Sequence, residues 1–139
     1  MLFRRYASTV DARWWIGARP SVGDGRLVSI IAAQVGLPTG NAGLCKRLVR
    51  LSRTEAAHVL AVAGTISLAY GADAPNAASV AEAGNALGDL TGDAVFLGNG
   101  RWQGGTSVGW NPLTDATFDC GVLGYDEQWA FIFWVEEED

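Results

Sequence analysis

The sequence predicts an α+β fold, in which three to four helices pack on an antiparallel β-sheet built mainly from the C-terminal half. Two observations support this prediction. Between residues 26 and 87, apolar residues recur at helical spacing and residues typical of helix caps precede them. Beyond Gly92, aromatic and β-branched residues alternate between glycine and asparagine turns. Helices followed by a run of strands are typical of α+β domains.

The length and composition indicate one folded domain that spans residues 1–139. Hydrophobic residues make up 49% of the chain and charged residues 18%, which is enough apolar surface to build a packed core. A chain of this size buries roughly two thirds of the surface that its unfolded form exposes. We therefore expect a globular protein without a second domain.

Two short strands are predicted at the N-terminus, Leu2–Ser8 and Arg13–Ala18, because aromatic and aliphatic residues recur in both. Glycines and Pro20 then mark a break. From Arg26 the apolar residues follow helical spacing, which predicts a first helix that ends at the segment Gly36-Leu37-Pro38.

Three further helices are predicted between residues 41 and 87. Asn41 is a candidate N-cap for a short helix that carries Leu44 to Leu51. Ser52-Arg53-Thr54-Glu55 fits the S-x-x-E capping box and predicts a long helix that begins there and ends near Gly71. Alanines favour another helix from Asn76 to about Leu87, which Gly84 weakens.

The C-terminal third predicts a β-meander. The pair Asn99-Gly100 between apolar residues indicates a tight hairpin, because both central positions of such a turn need positive φ. Thr117–Leu123 and Gln128–Val135 read as two more strands joined through residues 124–127. Alternation places Trp129, Phe131 and Phe133 on one face of the last strand. Ile132 and Trp134 are equally apolar on the other face, which indicates either a strand buried on both sides or an exposed patch.

Charge is divided unevenly along the chain. Residues 1–70 contain nine basic and three acidic side chains, a net charge of +6, whereas residues 71–139 contain twelve acidic side chains and Arg101 alone, a net charge of −11. Such polarity attracts a partner of opposite sign and repels nucleic acid from the acidic side. The alternative is that the two halves fold together and partly cancel.

No arrangement of residues in the sequence specifies catalysis. His58 falls inside a predicted helix, and nothing in the sequence places it near Cys45 or Cys120, so we assign no catalytic residue. The two cysteines lack metal-ligand spacing, and we expect neither a metal nor another cofactor. The alternative function is a small hydrolase or transferase that uses an Asp/Glu cluster, or His58 with a cysteine.

Trp102 and Trp110 lie among Gly, Gln, Ser and Asn residues and are predicted to be the exposed tryptophans. Exposed tryptophans beside carboxylates are typical of surfaces that bind protein or sugar. The chain closes on four consecutive carboxylates after an apolar strand. Such a tail either keeps the strand from aggregating or extends an acidic binding surface.

In size, acidity and its last residues, TDATFDCGVLGYDEQWAFIFWVEEED, the chain resembles the small bacterial immunity proteins of interbacterial toxin systems. The resemblance implies a non-enzymatic inhibitor that occludes the active site of a cognate protein toxin, often a basic nuclease or deaminase. The sequence has no apolar run of about 20 residues, and Asp11 with the bulky segment Trp14-Trp15-Ile16 argues against a transit peptide, so we expect a cytoplasmic protein that contacts neither nucleic acid nor membrane directly. From charge and aromatic content we expect its partner-binding residues to be Trp102, Trp110, Asp115, Asp119, Tyr125, Asp126, Glu127, Glu136, Glu137, Glu138 and Asp139.

Overall fold

The computed structural model describes residues 1–38, 44–68, 74–102 and 110–138, apart from the side chains of Cys45 and Lys46. It contains helices that alternate irregularly with five strands. In chain order the elements are α1 (Leu2–Ala7), β1 (Arg13–Ala18), α2 (Asp24–Ala33), α3 (Leu44–Arg47), β2 (Val49–Leu51), α4 (Arg53–Thr65), α5 (Ala77–Leu87), β3 (Val95–Gly98), β4 (Phe118–Tyr125) and β5 (Trp129–Glu137).

The five strands form one antiparallel sheet in the order β1-β5-β4-β3-β2. The two longest strands, β4 and β5, lie next to each other inside the sheet and form a hairpin in which Phe118 pairs with Glu137 and Tyr125 with Ala130. The α+β prediction is confirmed, as are the predicted strand Arg13–Ala18 and the two C-terminal strands.

Both faces of the sheet are covered. Phe131, Phe133 and Val135 of β5 belong to the core beneath α1, α4 and α5. Ile132 and Trp134 belong to a second core, on the face that carries α2 and α3. All five side chains are buried, so β5 is a strand buried on both sides and not an exposed patch.

The capping box at Ser52 is confirmed. The Glu55 amide donates to Ser52 Oγ at 3.1 Å, and the Ser52 amide donates to Glu55 Oε1 at 2.9 Å. Helix α4 ends at Thr65 and not near Gly71, because the chain turns into extended backbone at Ile66. The predicted helix from Asn76 to about Leu87 is confirmed as α5, and Asn76 caps it by accepting from the Ser79 amide at 2.8 Å.

The predicted strand Leu2–Ser8 is wrong, because residues Leu2–Ala7 form helix α1. Its buried residues, Phe3 and Ala7, are four apart and therefore lie on one helical face. Phe3 packs its ring 4.8 Å from that of Phe131, and its amide donates to Asp89 Oδ2 at 2.8 Å. Contact with distant residues thus decides the conformation of a segment whose local pattern is ambiguous.

The predicted helix from Asn41 to Leu51 is also wrong. Asn41 lies outside the described residues, Leu44–Arg47 form a single helical turn, and Val49–Leu51 form strand β2. Strand β2 pairs with β3 along the edge of the sheet, and Leu51 points into the core. The local pattern of this apolar segment favours a helix, but pairing of β2 with β3 determines its conformation.

The predicted hairpin at Asn99-Gly100 is not formed. Strand β3 ends at Gly98 and pairs with β2 and β4, which are distant in sequence, while Arg101 and Trp102 are not in a strand. Asn99 is completely buried, and its amide nitrogen donates to the side chain and backbone of Asp119. The asparagine therefore anchors one strand end to another instead of forming a tight turn.

Candidate functional site

The predicted site residues do not form one surface. The register of β4 and β5 places Tyr125, Asp126 and Glu127 at the turn of the hairpin, whereas Phe118 and Glu137 pair at its open end. Seven residue steps along a strand separate the two ends by roughly 23 Å. Asp115, Asp119 and the C-terminal glutamates therefore lie far from the turn.

The glutamates at the open end of the hairpin form an ion pair and hydrogen bonds with other residues of the protein. Glu136 forms an ion pair of 2.6 Å with Arg13 of β1. Glu137 accepts from the Ser67 hydroxyl and, at 2.7 Å, from the Leu68 amide. Glu138 accepts from the Thr117 hydroxyl at 2.7 Å. These three side chains fasten the end of β5 to neighbouring segments, and Asp139 lies outside the described residues.

Asp119 is completely buried, so its predicted place on an exposed acidic surface is wrong. Its carboxylate accepts from the side-chain amide of Asn99 at 2.8 Å and from the backbone amides of Leu113 and Thr114 at 2.8 and 2.7 Å. A buried charge is tolerated when hydrogen bonds replace its lost hydration. Asp119 thus organises the connection between β3 and β4.

The prediction that Trp102 is exposed is wrong, because this residue is only 2% exposed. Trp110 is half-buried, so the prediction holds only in part for it. Trp102 donates from Nε1 to Asn99 Oδ1 at 3.4 Å. The Trp110 ring lies 5.6 Å from that of Trp102 and 6.3 Å from that of Phe118. This aromatic stack belongs to the same connection that Asp119 holds.

Asp126 is also buried, and it fixes the hairpin turn. Its carboxylate accepts from the amides of Thr91, Gln128 and Trp129 at 3.0, 2.8 and 2.7 Å. Burial acts to raise the pKa of Asp126, but these hydrogen bonds and the positive charge of Arg19 outweigh it, so that the pKa lies below its ordinary value. The carboxylate is therefore charged and held in place.

A small cleft of about 250 Å³ lies beside this turn, and we call it the turn-end cleft. Its lining includes four carboxylates and one cation: Asp24, Asp93, Asp126, Glu127 and Arg19. The guanidinium of Arg19 pairs with Asp24 at 3.1 Å, donates to the Asp126 carbonyl at 3.1 Å and lies 5.0 Å from the Tyr125 ring centroid. Tyr125 itself is buried, contrary to a role as an exposed anchor.

The carboxylates of the turn-end cleft differ in their exposure. The Asp24 side chain is 75% exposed, and Asp93 and Glu127 are exposed as well. The sequence identified Tyr125, Asp126 and Glu127 of this cleft as site residues but gave no sign of Arg19, Asp24 and Asp93. These residues are far apart in the chain, and only the pairing of β1 with β5 and of β3 with β4 brings them together.

Cys120, one of the two cysteines that the alternative enzymatic function could use, is poorly placed for nucleophilic chemistry, and the side chain of Cys45 lies outside the described part of the structure. Burial, assisted by the negative charge of Asp119, raises the pKa of the Cys120 thiol well above its ordinary value. A buried, protonated thiol is a weak nucleophile. His58 lies on α4, and its Nε2 atom is buried without a hydrogen-bond partner in the described part of the chain.

Within the described ranges, no group of three or more His, Cys, Asp or Glu residues is arranged to hold a metal ion. No described helix has the length and apolar character needed to span a bilayer. Comparisons with protein-family models, with curated proteins and with solved structures found no match.

Proposed function

We propose that the protein is a cytoplasmic, non-enzymatic inhibitor of the immunity type, which binds a basic protein toxin and covers its active site. The observation that carries the proposal is the turn-end cleft, where the exposed carboxylates of Asp24, Asp93 and Glu127 surround a hairpin turn. Clustered carboxylates attract a cationic protein and accelerate its association.

Rigidity of the turn supports this proposal. Three backbone amides hold Asp126, and Arg19 ties the cleft together through Asp24 and the Asp126 carbonyl. A surface that is already ordered loses little conformational entropy on binding, so more of its interaction energy contributes to affinity. The turn-end cleft therefore replaces the single acidic surface expected from the sequence.

The acidic open end of the hairpin has a different role in this proposal. Glu136, Glu137 and Glu138 are already engaged by Arg13, Leu68 and Thr117, so breaking these contacts would offset any gain from a partner. Their charge still contributes to the long-range field that brings a basic toxin towards the protein.

Co-expression with the product of the upstream neighbouring gene, together with measured association rates, tests the proposal. We expect protection from toxicity, and we expect Asp93→Lys with Glu127→Lys to slow association about tenfold or more at low salt. The matched control is Asp11→Lys with Asp115→Lys, which makes the same change in charge at two exposed sites outside the cleft. Absence of binding and protection, or an equal loss in the control, would contradict the proposal.

A further inference from the structure

A second and larger concavity lies between α1, α4 and α5, on the face of the sheet that these three helices cover. This helical groove has a volume of about 530 Å³, which is in the range of small-molecule sites. Leu2, Val10 and Ala86 form apolar parts of its lining, and Leu2 is 47% exposed at its rim. The groove has no part in the function proposed above.

Three hydroxyl groups line the groove, and each already donates its hydrogen to the backbone. Tyr6 donates to the Leu60 carbonyl at 3.0 Å, Thr9 to the Tyr6 carbonyl at 2.8 Å and Thr65 to the Ala61 carbonyl at 2.7 Å. A hydroxyl has one hydrogen to donate but two lone pairs that accept. The three oxygens therefore offer the groove acceptors and no donors.

The position of Tyr6 depends on Gly64 of α4. A Cβ atom at Gly64 would lie within 2.4 Å of the Tyr6 hydroxyl oxygen, so the glycine leaves room for that oxygen against the helix. Burial, assisted by the negative charge of Glu82, raises the pKa of Tyr6 to about 12. The phenol is therefore neutral at physiological pH and keeps its hydrogen bond.

Two side chains of opposite charge line the groove without pairing with each other. Glu82 of α5 is exposed and forms neither an ion pair nor a side-chain hydrogen bond within the described chain. Arg5 of α1 is exposed and likewise has no carboxylate partner among the described residues. The carboxylate adds to the acceptors of the groove, while the guanidinium opposes cations.

We propose that the helical groove binds an alkylammonium or alkylguanidinium group, with Glu82 and the hydroxyl oxygens of Tyr6, Thr9 and Thr65 as acceptors. A ligand of this class donates hydrogen bonds to these four acceptors, and its methylene chain fits against Leu2, Val10 and Ala86. Arg5 and Asn85 also line the groove and carry N–H donors, so the preference for a cation rests on the negative charge of Glu82. Either a free amine or a lysine or arginine side chain of a protein has this chemistry.

Amide chemical shifts recorded during titration with n-butylammonium, n-butylguanidinium and n-butyrate test the proposal. We expect the two cations to shift amides of α1, of residues 64–65 and of residues 82–86, and butyrate to leave them unchanged. Glu82→Gln should weaken cation binding about threefold to fivefold, and Arg5→Gln should strengthen it about twofold. Both residues are exposed and lack side-chain hydrogen bonds in the described structure, so the variants should fold.

The matched control is Glu127→Gln, which removes the same charge at the turn-end cleft and should leave cation binding unchanged. Stronger binding of butyrate, chemical-shift changes that map elsewhere, or an equal effect of Glu127→Gln would overturn the proposal.

A short blocked peptide with one lysine distinguishes a protein side chain from a free amine as the source of the cation. Binding equal to that of n-butylammonium indicates a protein side chain, and binding of the free amine alone indicates a small amine.

Discussion

Buried carboxylates act at the scale of single residues as supports for backbone segments. Asp119 and Asp126 each accept hydrogen bonds from main-chain amides in buried or partly buried positions. An unpaired buried donor costs free energy comparable to a lost hydrogen bond. The two aspartates therefore stabilise the connection before β4 and the turn after it.

Replacement of Asp119 should be strongly destabilising. We expect Asp119→Ala to lower the free energy of unfolding by about 3 kcal/mol or more, because Asn99 and the amides of Leu113 and Thr114 lose their acceptor. Urea denaturation measures this loss. Asp119→Asn keeps one acceptor oxygen and should lose less, and Asp115→Ala, at an exposed position, should stay within about 0.5 kcal/mol of the wild type. Similar losses in the Asp115 and Asp119 variants would contradict this account.

Asp126 should contribute to the pH dependence of stability. Its pKa is lower in the folded than in the unfolded protein, so its stabilisation is present above the unfolded value of about 3.9 and disappears as the pH falls through the folded value. We expect Asp126→Asn to flatten the stability profile between about pH 5 and pH 2. Urea denaturation at a series of pH values checks this. Asp115→Asn is the control, and a wild-type slope in the Asp126 variant would refute the assignment.

The sequence shows that Asp119 and Asp126 belong to its acidic C-terminal half, but it does not show that they hold backbone segments in place. Asp119 alternates with apolar residues and follows a turn-rich segment, which is equally typical of a solvated strand end. Leu113 and Thr114 are near in sequence, but its partner Asn99 lies 20 residues away at the end of β3. Burial of a polar side chain depends on such distant contacts, and a local pattern does not contain them.

Helix α4 is the element whose start the sequence predicts best. The signal at Ser52 is local, since the capping box closes two hydrogen bonds within four residues. The start of α5 was predicted from the alanines that follow Asn76, and the cap at Asn76 is a finding of the structure. By contrast, α1 and β2 are short, and their conformations follow from packing against β5 and from pairing with β3. Local patterns cannot decide between helix and strand in such segments.

The cap of α4 makes a measurable contribution. We expect Ser52→Ala to lower the free energy of unfolding by about 1 kcal/mol, because the Glu55 amide loses its acceptor at the first turn. Ser52→Gly should lose only a few tenths of this, since glycine adopts the N-cap conformation and leaves the amide accessible to water. Urea denaturation of the three proteins gives the comparison, and equal stability of Ser52→Ala and the wild type would count against the role of the cap.

At the scale of the whole molecule, the sheet order decides which acidic side chains come together. Because β1 pairs with β5 and β3 with β4, Arg19, Asp24 and Asp93 meet Glu127 at the turn-end cleft. The charge division between the two halves was visible in the sequence, but strand order was not. The same topology brings Arg13 to Glu136, whereas Glu137 and Glu138 accept from uncharged groups and keep their negative charge. Both ends of the hairpin therefore remain acidic.

Arginines also protect both edges of the sheet. Arg4 donates to the Ile16 carbonyl on edge strand β1, and Arg101 donates to the Arg50 carbonyl on edge strand β2. Charged side chains over an edge discourage pairing with strands of other molecules. Part of the positive charge in the first half of the sequence thus serves the fold itself.

The interior position of β5 has a consequence for synthesis on the ribosome. The pairing partner of strand β1, which includes Phe131 opposite Ile16, is translated more than one hundred residues after it. Until that segment emerges, β1 and β4 have no strand between them and their apolar side chains remain uncovered. The sheet can therefore close only after β5 has been translated, and such long-range pairing slows folding and leaves apolar surface open to aggregation in the meantime.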